Sequence, residues 1–119
     1  MRVRIALFVG AVCLCLSVAI MAQDAVKVDS KHYSVVTEND QVRIVKVHYG
    51  VHEKSVMHSH PNAVAVYLTD GSTRMTTPDG KSQDLPGKAG DTSWTAAGTH
   101  LPQNVGNKPL EVILVELKK

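Results

Sequence analysis

Apolar and polar residues alternate along most of this chain, and turn residues interrupt the alternation at intervals of roughly 8–12 residues. Residues Val42–Tyr49 show it most clearly, and the more apolar set, Arg43, Val45, Val47 and Tyr49, is expected to face inward. No long segment after residue 22 repeats with the 3.6-residue period of a helix. The pattern predicts an all-β domain, built as a sandwich or a barrel.

The other predicted strands are bounded by glycine, proline, asparagine and aspartate. They are residues 33–37, 58–69, 72–77, 81–85, 90–95, 103–105 and Leu110–Leu117. Hairpin turns are predicted at Asp70-Gly71 and Pro78-Asp79-Gly80, and another turn at Pro86-Gly87. The tight bend Ala96-Ala97-Gly98 is expected to deliver His100 in a turn.

The N-terminus reads as a secretory signal peptide over residues 1–22. Arg2 and Arg4 precede an uncharged apolar run over residues 5–20, and Ala19 and Ala22 are candidate cleavage points. The run is shorter than the about 20 residues of a membrane span, so export to the periplasm or outside the cell is the expectation. Residues 23–40 are expected to form a frayed lead-in and a first strand, and residues 41–119 the main domain.

Charge and cysteine content exclude several classes of function. Arg2 and Arg4 account for the formal net charge of +2, so the exported domain is near neutral and carries no sign of nucleic-acid binding or, after cleavage, of membrane binding. Both cysteines, Cys13 and Cys15, lie in the predicted signal peptide. The domain therefore has neither a disulfide framework nor a cysteine nucleophile.

Two histidines one residue apart, His58 and His60, open the most informative predicted strand. If residues 58–69 form one unbroken strand, both share a face with Asn62, Val64, Val66 and Leu68. That arrangement would put a polar cluster at one end of an apolar interior. Two polar residues at a barrel rim would produce the same pattern, and Pro61 favours an edge or a bulge there.

At this point the chain resembles the cupin superfamily, whose first motif has the form G(X)5HXH(X)3,4E(X)6G. His58 and His60 fill the two histidine positions, and Gly71 fills the last glycine. Two positions depart from the motif, because His52 replaces its opening glycine and Val64 replaces its glutamate.

The second cupin motif, G(X)5PXG(X)2H(X)3N, is matched by Gly90, Gly98, His100 and Asn104. Ala96 replaces its proline, and the gap before His100 is one residue short. The resemblance covers residues 42–117 and is to small single-domain cupins of the RmlC-like or quercetin-dioxygenase-like kind. It implies a single-domain cupin β-barrel, also described as a double-stranded β-helix or jelly roll.

The resemblance implies that His58, His60 and His100 bind one divalent transition metal, which could be Fe, Mn, Zn, Ni or Cu. Three imidazoles leave coordination positions open for a ligand, and a site without the glutamate keeps the full charge of the cation, which favours an anionic ligand. Asn62, Gln103 and Asn104 are candidates for contacting the ligating histidines. For His100 the alternative is a turn histidine bonded to a carbonyl. For Asn62 and Gln103 the alternative is ordinary loop polarity, and for Asn104 it is hydrogen bonding to backbone groups of its own turn.

Two functions follow as expectations. One is a metal-dependent dioxygenase, or an isomerase, that acts on a small anionic or chelating molecule. The other is a non-catalytic cupin that binds a small ligand or a metal, and no residue is assigned a catalytic role. A homodimer is also expected, because the superfamily often dimerises through an edge strand and Leu110–Leu117 is apolar.

Overall fold

The computed structural model describes residues 23–119, which form one short helix and nine strands. The predicted signal peptide, residues 1–22, lies outside the described residues. Within residues 23–119 no helix is long and apolar enough to cross a membrane. The elements are α1 (Ala25–Val28), β1 (Tyr33–Glu38), β2 (Val42–Tyr49), β3 (His58–His60), β4 (Ala63–Tyr67), β5 (Gly71–Thr76), β6 (Ser82–Gly87), β7 (Thr92–Thr95), β8 (Gly98–Asn104) and β9 (Leu110–Leu117).

The strands form two antiparallel sheets, which confirms the all-β prediction. One sheet has the order β1-β2-β9-β4-β7, and the other has the order β3-β8-β5-β6. From β3 to β9 the chain passes repeatedly between the two sheets, which is the winding of a double-stranded β-helix. The two sheets do not close into the predicted barrel, so each keeps two edge strands.

The core lies between the sheets, where β2 and β9 contribute alternate apolar residues. Val45, Val47 and Tyr49 are buried as the alternation predicts, and their partners on β9 include Leu110 and Val112. Burial of each such side chain stabilises the fold by about 1.5–3 kcal/mol. Strands β2 and β9 have the predicted bounds because an uninterrupted period of two determines both their length and their inner face.

The predicted strand over residues 58–69 is wrong in one respect, because it breaks into β3 and β4 at Pro61. Proline has no backbone N–H, and the two halves pair in different sheets, β3 with β8 and β4 with β7 and β9. The break reverses the alternation. Ala63 and Ala65 are therefore buried, whereas Val64 and Val66 lie on the opposite face of β4.

One predicted turn is confirmed and three are wrong. The Pro78-Asp79-Gly80 hairpin is confirmed between β5 and β6, with Gly80 at a φ of 84°. Asp70-Gly71 instead leads from one sheet to the other, and Pro86-Gly87 belongs to β6. His100 lies inside β8 and not in a turn.

The closing strand cannot provide the predicted dimer edge. Strand β9 lies in the centre of its sheet and is paired with β2 on one side and β4 on the other. Its backbone hydrogen-bonding groups are therefore already used. The free edges of this sheet are β1 and β7.

The lead-in over residues 23–30 is attached to the sheets and is not frayed as predicted. The backbone carbonyl of Gln23 accepts a hydrogen bond from the backbone N–H of Ser59 at 2.7 Å. Arg43 donates through Nη1 and Nη2 to the carboxylate of Asp24 and through Nε to Glu116 at 2.6 Å. Ala25 of α1 is buried against the core, so the segment seals one side of the cavity between the sheets.

Candidate metal centre

Strands β3 and β8 bring the three predicted histidines together. In their antiparallel register His58 lies opposite His100 and His60 lies opposite Gly98. Residues opposite one another and residues two apart on a strand share one face, so all three side chains project from the same side of the sheet. The ring centroids of His58 and His100 are 5.0 Å apart, and those of His60 and His100 are 4.4 Å apart.

Backbone carbonyls select the tautomer of two of these rings. The Nδ1 atom of His58 lies 2.9 Å from the carbonyl oxygen of Val56, and that of His60 lies 2.8 Å from the carbonyl oxygen of Pro61. A carbonyl oxygen only accepts, so each Nδ1 carries the hydrogen and donates. Each Nε2 therefore holds the lone pair, which is the form of histidine that binds a metal.

Burial keeps two of the rings uncharged. The pKa of His100 is lowered to about 3, first by burial and then by the neighbouring His60 and His58. Burial also lowers the pKa of His58, which is only 2% exposed. Both imidazoles are therefore neutral near pH 7 and have unprotonated nitrogen available for a cation.

The three histidines line a cavity of about 90 Å³ between the two sheets. Its walls are mostly apolar, from the core side chains of β2, β4 and β9, with the hydroxyl groups of Tyr33 and Tyr49 bonded to each other at one side. Glu116 is its only lining carboxylate within residues 23–119, and this group is paired with Arg43. The polar groups that the cavity offers are therefore the three imidazoles and several hydroxyl groups, among them those of Thr73, Ser93 and Thr95.

The donor set suits a transition metal in its chemistry, because neutral imidazole nitrogens are common ligands of such ions. Within residues 23–119, however, no three His, Cys, Asp or Glu side chains are placed so that they could hold a metal ion. Metal binding would therefore require these side chains to move from the positions that they have here.

Comparison with known proteins gives a consistent result for the fold. Neither a protein-family model nor a curated protein matches the chain. Among solved structures, a cupin domain from Bordetella pertussis Tohama I is 21% identical with a TM-score of 0.68, covering 73% of this chain and 92% of that one. A protein with a double-stranded β-helix domain from Klebsiella pneumoniae is 25% identical with a TM-score of 0.59, covering 71% and 74%. The chain has the cupin fold.

A more distant similarity is to a polyketide cyclase from Streptomyces resistomycificus. It is 13% identical to this cupin domain, with a TM-score of 0.55, and the match covers 73% of this chain and 64% of that one. These similarities show the fold of the domain. The chemistry of the domain depends on its own side chains.

Val64, which stands at the glutamate position of the first motif, does not face the histidines. It lies across from Val115 and Trp94 on the outer face of its sheet. The cavity-lining residues of β4 beside it are Ala63 and Ala65. The face of β4 that meets the histidines therefore carries methyl groups and no carboxylate.

The three amides predicted near the histidines form their hydrogen bonds elsewhere. Asn62 accepts from the backbone N–H of Ala97 at 2.8 Å, and Gln103 donates to the carbonyl of His52 at 3.2 Å. Asn104 is fully buried and bonded to backbone groups of two segments, the loop after β2 and the turn between β8 and β9. No ring nitrogen of the three histidines is among their hydrogen-bond partners within the described part of the chain.

Sequence reasoning missed two groups near the cavity. Glu116 follows Leu110, Val112 and Leu114 on the inner face of β9, so a charged residue in an apolar alternation was the available signal. His32 is 7% exposed and lies within hydrogen-bond reach of the Asp29 carboxylate. No local pattern distinguishes that pair from an ordinary polar lead-in.

Proposed function

We propose that this cupin domain binds one divalent transition metal ion through the Nε2 atoms of His58, His60 and His100. The observation that carries the proposal is the register of β3 and β8, which groups three imidazoles on one inward face. Its support is the pair of Nδ1–H bonds to backbone carbonyls, which leaves Nε2 unprotonated in His58 and His60.

The chemistry of the donors narrows the choice of ion. Neutral imidazole suits Zn, Cu, Fe and Ni, whereas Mg and Ca prefer oxygen ligands. Because no carboxylate of β4 faces the histidines, the bound ion would keep its full positive charge. An anion is therefore the favoured further ligand of that ion.

The size of the cavity limits that further ligand. A volume of about 90 Å³ is smaller than the about 150 Å³ cavity that accepts benzene. The ligand would therefore be a compact molecule of a few heavy atoms, such as a short carboxylate. We propose binding rather than a particular reaction, because the one lining carboxylate of the described chain, Glu116, is engaged by Arg43.

Calorimetric titration of Co²⁺ into the metal-free protein tests the proposal. We expect one ion per chain and a loss of affinity of about 100-fold or more in His58→Ala, because a direct ligand matters at least as much as its supporting partners. His48→Ala is the matched control, since His48 also lies on a strand but is exposed and bonded to Glu111. Absence of binding, or equal binding by His58→Ala and the wild type, would contradict the proposal.

A further inference from the structure

A buried serine lies directly behind His58, on the side away from its Nε2. The Oγ atom of Ser55 is 3.2 Å from Nδ1 of His58 and 2.6 Å from Oδ2 of Asp29. Ser55 is 5% exposed, and its backbone N–H donates to the carbonyl of Pro102 at 2.9 Å. This serine is therefore fixed in place between the imidazole and the carboxylate.

The direction of each hydrogen bond follows from the groups involved. An ionised carboxylate only accepts, so the hydroxyl of Ser55 donates to Asp29. The serine oxygen is then left to accept from the Nδ1–H of His58, which also donates to the carbonyl of Val56. The three groups form a relay in which negative charge on Asp29 polarises the serine, and the serine in turn polarises the imidazole.

The carboxylate at the far end of the relay is itself held firmly. The side chain of Asp29 is 9% exposed and lies 2.8 Å from Nδ1 of His32. The ring of His32 is stacked on Tyr49, with ring centroids 4.6 Å apart. A carboxylate with so little exposure is unfavourable without such partners, and these contacts therefore stabilise Asp29 in its place behind the histidine.

We propose that Asp29, acting through Ser55, is a positioning residue for His58. This inference rests on the proposed metal site. The relay holds the His58 ring in the Nδ1–H tautomer and increases electron density at Nε2, which strengthens its bond to a cation. Because the carbonyl of Val56 shares the same hydrogen, loss of the relay weakens metal binding and does not abolish it.

A mutant cycle separates a relay from independent structural effects. We expect about a tenfold loss of Co²⁺ affinity in Asp29→Asn and in Ser55→Ala, and no additional loss in the double variant, because Asp29 acts only through Ser55. Ser55→Thr keeps the hydroxyl and should recover most of the affinity. Ser59→Ala is the control, since Ser59 lies beside His58 but is bonded to Thr99 at the surface.

A measurement on the metal-free protein tests the relay independently of metal binding. In ¹⁵N-correlated proton spectra the Nδ1–H signal of His58 should lie far downfield in the wild type and in Ser59→Ala. It should move upfield in Asp29→Asn and in Ser55→Ala. If the wild type binds no metal, the proposed function fails while this spectrum still decides whether the relay exists.

The outcomes that would overturn the inference are specific. An unchanged His58 signal in Asp29→Asn would show that no relay reaches the ring. Additive losses of affinity in the double variant would show that the two residues act separately, as structural residues would. Wild-type affinity in Ser55→Ala together with weak binding by His58→Ala would preserve the metal site and exclude the positioning role.

Discussion

Lowering the pH from 7 to 4.5 is expected to reduce the free energy of unfolding of the metal-free protein by about 2–3 kcal/mol. The cause is His100, whose pKa is lowered to about 3 by burial and by the other two histidines. An unfolded chain binds a proton at this residue below about pH 6.5, whereas the folded chain stays unprotonated until about pH 3. The stabilising effect is therefore complete above pH 6.5 and is lost progressively as the pH falls. The lowered pKa of His58 acts in the same direction.

Urea unfolding, followed by circular dichroism at several pH values, measures this effect. The substitution His100→Gln should remove most of the decrease in the free energy of unfolding between pH 7 and pH 4.5. The control His48→Gln should retain that decrease, because His48 is exposed. Carboxyl groups whose pKa is lowered by ion pairs, such as Asp24, lose their contribution mainly below pH 4. An equal pH dependence in the wild type and His100→Gln would contradict a partly buried, neutral His100.

Asn104→Ala is expected to lower the free energy of unfolding by about 3 kcal/mol, because several buried backbone groups would lose their partner. The Nδ2 atom of Asn104 donates to the carbonyls of Lys108 at 2.8 Å and Gly50 at 3.1 Å. Its Oδ1 accepts from the N–H of Gly106 at 3.0 Å. One fully buried side chain thus joins the end of β8 to two separate loops.

Thermal and urea unfolding of Asn104→Ala should be compared with Asn107→Ala. Asn107 lies in the exposed turn before β9 and should tolerate the change within about 0.5 kcal/mol. A loss below about 1 kcal/mol in Asn104→Ala would show that water replaces these hydrogen bonds.

The elements that could be predicted are those with an uninterrupted alternation. Strands β2 and β9 have the expected bounds because each runs unbroken through the centre of one sheet. The break at Pro61 could be suspected from the proline, but its effect on alternation could not. Whether one or two residues leave the strand decides which face Val64 occupies, and only the pairing of β4 with β7 and β9 determines that.

The candidate site could likewise be predicted only in part from the sequence. The grouping of His58, His60 and His100 was predictable, because the two motifs that the chain partly matches carry these histidines. The relay behind His58 was not, because Asp29 and Ser55 are 26 residues apart and meet only when the lead-in folds against the sheets. Contacts of this kind depend on tertiary structure, and no local pattern of residue types predicts them.

The proposed metal centre requires that His58, His60 and His100 bind one metal ion together. X-ray absorption of the protein loaded with one equivalent of Zn²⁺ measures this directly, because imidazole ligands give a distinctive scattering pattern. We expect about three histidine nitrogens at about 2.0–2.1 Å from the zinc ion, and one fewer in His60→Ala. A spectrum with oxygen ligands alone, or one that is unchanged in His60→Ala, would contradict the proposed metal centre.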